Sequence, residues 1–258
     1  MERREFLAGA ALTGAAVSAL GASAEETIVE REYYEHRTYH LLPGGRNGAI
    51  HDFLEKAAIP AWNRAGIGPV GVFTGMYGGE WTDLEVLLPH ASLASVTSSR
   101  EALASDSAFQ EAGADFLNAA AASPEYVRYE SSLMLAFAGM PKLVAPEKKA
   151  RIFELRTYES HSEKFAKKKI EMFNEGGEIA IFHETGLTPV FFGETIVGPR
   201  LPNLTYMLVF DDMPDHDASW ANFGSDAKWK ALSGDPQYKD TVSNIHNRIL
   251  RPLAYSQI

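Results

Sequence analysis

The chain has 258 residues, 45% of them hydrophobic and 22% charged, enough for a substantial buried core. Its formal net charge of -10 excludes the broad basic face that a general nucleic-acid binder needs. With no cysteine, disulfides, thiolate metal sites and cysteine nucleophiles are excluded, and a metal could bind only through His and carboxylates.

The chain opens Met1-Glu2-Arg3-Arg4-Glu5-Phe6-Leu7, followed by a run rich in Ala, Gly, Val and Leu over residues 8–20 and by Ala22-Ser23-Ala24. A charged start, a short apolar run and a small-x-small site predict a signal peptide over residues 1–24. The Arg3-Arg4 pair ahead of Phe6-Leu7 points to the twin-arginine pathway and so to a periplasmic or extracytoplasmic location. The run is too short to span a bilayer, and no later segment is long and apolar enough to do so. The mature protein is therefore expected to carry no membrane anchor.

The rest repeats itself. Tyr34-Glu35-His36-Arg37-Thr38-Tyr39 returns as Phe153-Glu154-Leu155-Arg156-Thr157-Tyr158 at an offset of 119. Gly66-Ile67-Gly68-Pro69-Val70 returns as Gly186-Leu187-Thr188-Pro189-Val190, and Ser105-Asp106 as Ser225-Asp226, both at 120. A period this long is a domain duplication rather than a solenoid. It gives a first unit over residues 30–138, a polar, Pro-bearing linker over 139–150 and a second unit over 151–258.

Each unit reads in the same order. Strands are predicted over 32–40 and 151–159, then helices over 47–65 and 162–185, where apolar residues such as Ile50, Phe53, Leu54 and Ala57 recur at helical spacing. Strands at 69–77 and 83–88 follow, with Gly78-Gly79 between them, and their counterparts lie at 189–197 and 203–210. Further helices are predicted over 92–121 and 219–247, broken near Ser105 and Ser225, before last strands at 131–137 and 249–255. This βαββαβ order makes the chain α+β, two tandem ferredoxin-like units. Helices cover only one face of such a sheet, so the two bare faces are expected to pack together as a barrel-like pair. A second copy of the chain as partner is left open.

Those repeated blocks, with Leu42-Pro43-Gly44 and the closing Leu250-Arg251-Pro252-Leu253-Ala254-Tyr255-Ser256, resemble the NIPSNAP family over nearly all of residues 30–258. The resemblance implies the dimeric α/β-barrel superfamily. That superfamily includes cofactor-free monooxygenases, haem-degrading enzymes, isomerases and members without known chemistry, so fold alone does not give a function. No catalytic residue set carries over from it. His36 stands where Leu155 stands in the second unit, which predicts a modified core or a pocket in the first.

Strand alternation places Glu35, Arg37 and Tyr39 on one face and Glu154, Arg156 and Tyr158 on the equivalent one. Phe153 and Leu155 read as the helix-packed side, so both triplets are expected to point into the barrel or its mouth, near a shared cavity. An Arg fork there could hold a carboxylate or an enolate-like oxygen, and Tyr could donate a hydrogen bond. The bland alternative is a structural Glu–Arg pair. His36 and His40 share a strand face about 13 Å apart, too far to share one metal ion. No helix carries an H-x-x-x-H or H-E-x-x-H zinc spacing, and no metal site is expected. His183, on a helix, is a candidate haem ligand or general base by analogy with related barrels. The turn at residues 44–48 lacks the Lys-Ser/Thr of a phosphate loop, and Gly66-x-Gly68-x-x-Gly71 runs from helix to strand, the reverse of a dinucleotide fingerprint. Three functions remain: a small-molecule-binding or scaffold protein built on a barrel cavity, a cofactor-free monooxygenase or isomerase acting on an aromatic or enolisable compound, and a haem-binding protein.

Overall fold

The computed structural model describes residues 30–44, 47–80 and 82–258. The expected signal peptide lies outside them, as do Gly45 and Arg46 of the glycine-rich turn and Trp81.

The first unit contributes strands β1 (Tyr33–His40), β2 (Gly71–Tyr77), β3 (Asp83–His90) and β4 (Arg128–Ala136), and the second β5 (Ile152–Glu159), β6 (Thr188–Val197), β7 (Asn203–Phe210) and β8 (Asn244–Pro252). In each unit the first strand lies between the third and the last, antiparallel to both. The units join along two antiparallel seams, β2 to β8 and β4 to β6. The result is one closed barrel in the order β1-β3-β2-β8-β5-β7-β6-β4. Closure answers the burial problem posed by the sequence, because each bare sheet face becomes the lining of the other's core and no strand edge is left unpaired.

Burial separates into three cores. Helices α1 (Gly48–Phe53) and α2 (Ile59–Arg64) set Ile50, Leu54 and Trp62 against Tyr39, Val72 and Val86 on the outer face of the first sheet. Helices α6 (Glu163–Asn174) and α7 (Glu178–Thr185) set Phe173 and Phe182 against Tyr158, Phe192 and Tyr206 in the second. The third core fills one end of the barrel with Tyr34, Phe73, Phe153, Phe191, Met207 and Leu250, drawn from both units. Each large side chain buried there contributes about 1.5–3 kcal/mol, so neither unit forms this core alone.

The helices depart from expectation at identifiable residues. The first does run from α1 to α2, but through a π-helical turn at Leu54–Ala58. Pro60, in the first turn of α2, cannot donate to the carbonyl four residues back, and the wider turn absorbs that loss. The second predicted helix is two, α6 and α7, because Gly177 takes a left-handed φ of 86° that ends one and starts the other. The stretch read as helical over 219–247, with a break near Ser225, is α8 (Met213–Ser225), α9 (Ala227–Ser233), a 3-10 turn at Pro236–Tyr238 and then the start of β8. His246 is accordingly a strand residue, not a helical one. In the first unit the same region forms α3 (Leu93–Ser105), α4 (Ser107–Ala112) and α5 (Ala114–Leu117). Gly78, at φ 82°, closes the β2–β3 turn against β8, where an added Cβ would run into the Asn247 carbonyl.

The breaks expected near Ser105 and Ser225 are present and have one cause. Asp106 accepts a hydrogen bond from the Phe109 amide at 3.0 Å, and Asp226 accepts one from Trp229 at 2.9 Å. Each caps a new helix after an extended residue. Asp106→Ala and Asp226→Ala are each expected to lower stability by about 1 kcal/mol in urea unfolding. Unchanged midpoints in both would show that the helix starts do not rest on these caps.

Candidate functional site

The inward side chains change character along each strand in the same sense. On β1 they run Tyr34, His36, Thr38, His40, and on β5 Phe153, Leu155, Thr157, Glu159. The apolar members plug one end of the barrel. His36, Thr38, His40 and Thr157 line a cavity of about 530 Å³ that opens at the other end. Both units contribute to it: His36, Thr38, Asp83, Glu130 and Ser132 from the first, and Thr157, Asn203, Thr205, His246 and Arg248 from the second. A cavity of this size takes a small molecule.

Behind the wall of this cavity sits Glu85, only 1% exposed and in contact with the lining residues His36, Thr38 and Arg248. Thr38 Oγ1 donates to it at 2.7 Å, and His36 Nε2 lies 2.8 Å from the same oxygen, although not aligned for a hydrogen bond. Arg248, reaching from β8, donates to the other oxygen. Burial alone would push the Glu85 carboxyl up, but the charges of His36 and Arg248 and the Thr38 hydrogen bond outweigh it and hold the group below the ordinary carboxylate range. The equivalent place in the second unit is neutral, with Thr205 bonded to Thr157 at 2.9 Å and Leu155 in place of His36. The cavity is not confined to the first unit, and His36 and Leu155 both line it. At the rim, His40 Nδ1 meets Asp83 at 2.8 Å and His246 Nε2 meets Glu159 at 2.6 Å. The Nε2 atoms of His36 and His40 are buried without a hydrogen-bond partner, and both residues line the cavity.

The Glu/Arg/Tyr triplets are not in this cavity, contrary to expectation. Phe153 and Leu155 point inward with Met207, while Tyr39 and Tyr158 belong to the outer cores under the helices. Glu35, Arg37, Glu154 and Arg156 share that outward face, so the two triplets occupy separate sides of the barrel. Both faces of these strands are buried, one by helices and one by barrel closure, so an apolar side chain does not mark which face is which.

Each triplet is largely self-satisfied. Arg37 donates through Nε and Nη2 to the two Glu35 oxygens at 2.8 and 2.9 Å, and Ser131 Oγ donates to Glu35 at 2.9 Å. Arg156 donates to Glu154 at 2.7 Å, Trp220 Nε1 donates to its other oxygen at 2.7 Å, and Tyr158 shares a 2.8 Å hydrogen bond with Tyr206. Burial pushes the Tyr39, Tyr158 and Tyr206 phenols up, which leaves them as hydrogen-bond donors rather than bases. Burial pushes the Glu35 carboxyl up as well, but there its partners outweigh it. His90 Nε2 approaches it only to 3.6 Å, but the Arg37 and Ser131 hydrogen bonds and the Arg37 charge hold its carboxyl well below the usual range.

His183 is exposed on α7 and does not line the barrel cavity. Among the described residues no group of three His, Asp or Glu side chains is placed to hold a metal ion. The residues that the sequence reading missed are Glu85 and Arg248. Glu85 was visible as a lone charge inside the otherwise apolar run Leu84-Glu85-Val86-Leu87-Leu88, whereas Arg248 was hidden next to a segment read as helix.

A chain with this duplicated barrel belongs to a recognisable class. The NIPSNAP family profile matches residues 34–134 and again 153–257. The chain belongs to the NIPSNAP family, as a two-repeat member. Two solved structures share this fold over most of the chain, and each is named a "putative monooxygenase". The Fusobacterium nucleatum protein is 13% identical, with a TM-score of 0.56 and 88% of this chain and 94% of its own covered. The Lactobacillus acidophilus protein is 10% identical, with a TM-score of 0.54 and 86% and 94% covered. These identities carry the fold and not the reaction. A NIPSNAP family protein from Agrobacterium tumefaciens, 22% identical, covers 45% of this chain and 96% of its own, with a TM-score of 0.38. No curated protein matches the chain.

The Glu35 carboxyl makes acid stability a test of the outward face. Its folded pKa lies below the unfolded one, so the stability it supplies is present above the ordinary carboxylate range, about pH 4.3, and is lost as pH falls through that range toward the depressed value. Urea midpoints followed down to about pH 3 should fall more steeply for the wild type than for Glu35→Gln. Parallel curves would mean that Glu35 is not held ionised by its partners.

Proposed function

We propose that this NIPSNAP protein binds a small polar molecule in the open mouth of its barrel. One observation carries the reading: a polar cavity of about 530 Å³ lined by groups from both units, three of which, His36, Thr38 and Arg248, converge on the buried carboxylate Glu85 behind its wall. The hydroxyls of Thr157, Thr205 and Ser132 on the wall, beside the His and Arg side chains that line it, suit a hydroxylated or zwitterionic ligand better than an apolar one. Thr157→Phe fills the mouth without touching Glu85. Native mass spectrometry of the intact protein is expected to show a small bound mass in the wild type that is absent from Thr157→Phe. Failing a retained mass, a panel of sugars, polyols and amino acids should raise the wild-type melting temperature and not the variant's. No bound mass and no thermal shift in the wild type would turn the reading to a scaffold.

The same proposal places the protein outside the cytoplasm, through the Arg3-Arg4 leader. Replacing both arginines by lysine should leave the protein in the cytoplasmic fraction with its leader attached. Unchanged fractionation would remove export from the reading.

A further inference from the structure

The duplication supplies an internal comparison on the outward faces of β1 and β5. In the second unit Trp220 on α8 lies 4.5 Å over the Arg156 guanidinium and bonds Glu154, so its indole fills the space between sheet and helix. At the same offset of 120 the first unit carries Arg100 on α3. The Arg100 side chain is 61% exposed and reaches only to 3.6 Å from Glu35 Oε1. Where the second unit is plugged, the first has a cleft of about 310 Å³ lined by Arg37, Trp62, Arg100, Leu103, Phe109 and Tyr129.

The charges in this cleft do not balance. Glu35 is already engaged by two Arg37 nitrogens and by Ser131, and Arg37 keeps Nη1 outside that pair. Arg100 brings a second guanidinium to the same single carboxylate, and among the described residues it makes no other ion pair. The walls are aromatic, with the Arg37 guanidinium 5.4 Å from the Trp62 ring centre and 5.6 Å from that of Tyr129. A surplus cation beside apolar and aromatic walls is complementary to a planar anion: the fork takes a carboxylate and the rings take a flat apolar body.

We propose that the first unit's sheet–helix cleft is a second binding site, separate from the mouth, for a small aromatic carboxylate whose acid group pairs with Arg100. The two sites lie on opposite faces of β1, reached by the neighbouring residues His36 and Arg37.

The test uses benzoate and its uncharged isostere benzamide on the intact protein, by calorimetry and ligand-observed NMR at low salt. Benzoate is expected to bind saturably at millimolar concentration or below, and benzamide about tenfold more weakly, because only the anion makes the charge-assisted contact. Arg100→Ala should weaken benzoate by a similar factor. Arg100→Trp, which copies the second unit, should abolish binding while circular dichroism and melting temperature confirm the fold. Thr157→Phe, which blocks the mouth, should bind benzoate as the wild type does, so failure of the mouth reading leaves this one standing. The proposal is overturned if benzoate does not saturate at millimolar concentration, if benzamide binds equally well, if Arg100→Trp retains binding, or if Thr157→Phe removes it.

Discussion

The structure depends on one packing constraint: a four-stranded sheet whose helix-free face carries residues such as Tyr34, Phe73, Leu87 and Met134 cannot leave that face in water. Here the second copy of the same sheet covers it, and the seams β2–β8 and β4–β6 convert two open sheets into a closed barrel. The apolar plug of Tyr34, Phe73, Phe153, Phe191 and Met207 is where this burial is concentrated. Because the plug secures closure at one end, the other end is released from packing duty. Polar side chains can face inward there and meet solvent rather than desolvation. The cavity is thus a by-product of how an eight-stranded barrel of this length fills, and its position follows from the polarity gradient along β1 and β5.

Closure also explains why both units build one site while the sequence pattern of each is nearly the same. Duplication sets equivalent positions opposite each other, and divergence at three of them produces the chemistry. Glu85 faces a barrel in which its counterpart is Thr205, and His36 faces one in which its counterpart is Leu155. Arg100 stands where Trp220 closes the second unit. Two buried carboxylates in apposition would have repelled each other across the mouth. One carboxylate with a cation from the opposite unit is instead a stable arrangement, costly to break though of modest net worth. Arg248 makes the barrel's two halves chemically dependent as well as sterically so, since it comes from the second unit and satisfies a charge of the first.

The parts of the fold that were legible in the sequence are those governed by local chemistry or by repetition. The βαββαβ order, the turn at Gly78-Gly79 and the helix starts at Asp106 and Asp226 each have a residue that dictates them. The inward or outward sense of β1 and β5 had none. Period-two alternation shows that two faces differ, and here both are buried, so Phe153 and Tyr158 give equivalent hydrophobic signals for opposite destinations. The start of β8 was illegible for a related reason. His246 and Arg248 face the polar mouth while Asn247 turns outward to Glu154 at 3.3 Å, so the segment is polar on both sides and shows no strand pattern. Gly234 and Pro236 were the available stop signals, and the 3-10 turn sits on them.

That same illegibility bears on how the Glu/Arg/Tyr triplets are to be understood. A charged pair buried against helices draws on partners from those helices and from the neighbouring strand: Trp220 on α8 stacks on Arg156 and donates to Glu154, and Asn247 on β8 donates to the same carboxylate. The Glu–Arg–Tyr pattern is therefore a structural device by default, a polar seam that fixes how helices sit on the sheet. In the first unit the device is left unfinished. Ser131 takes the role of Asn247, but the indole is missing and a second, half-free guanidinium occupies its place. Identical motifs thus play different parts according to one residue on a neighbouring helix, which is why the motif alone could not reveal where a ligand would go.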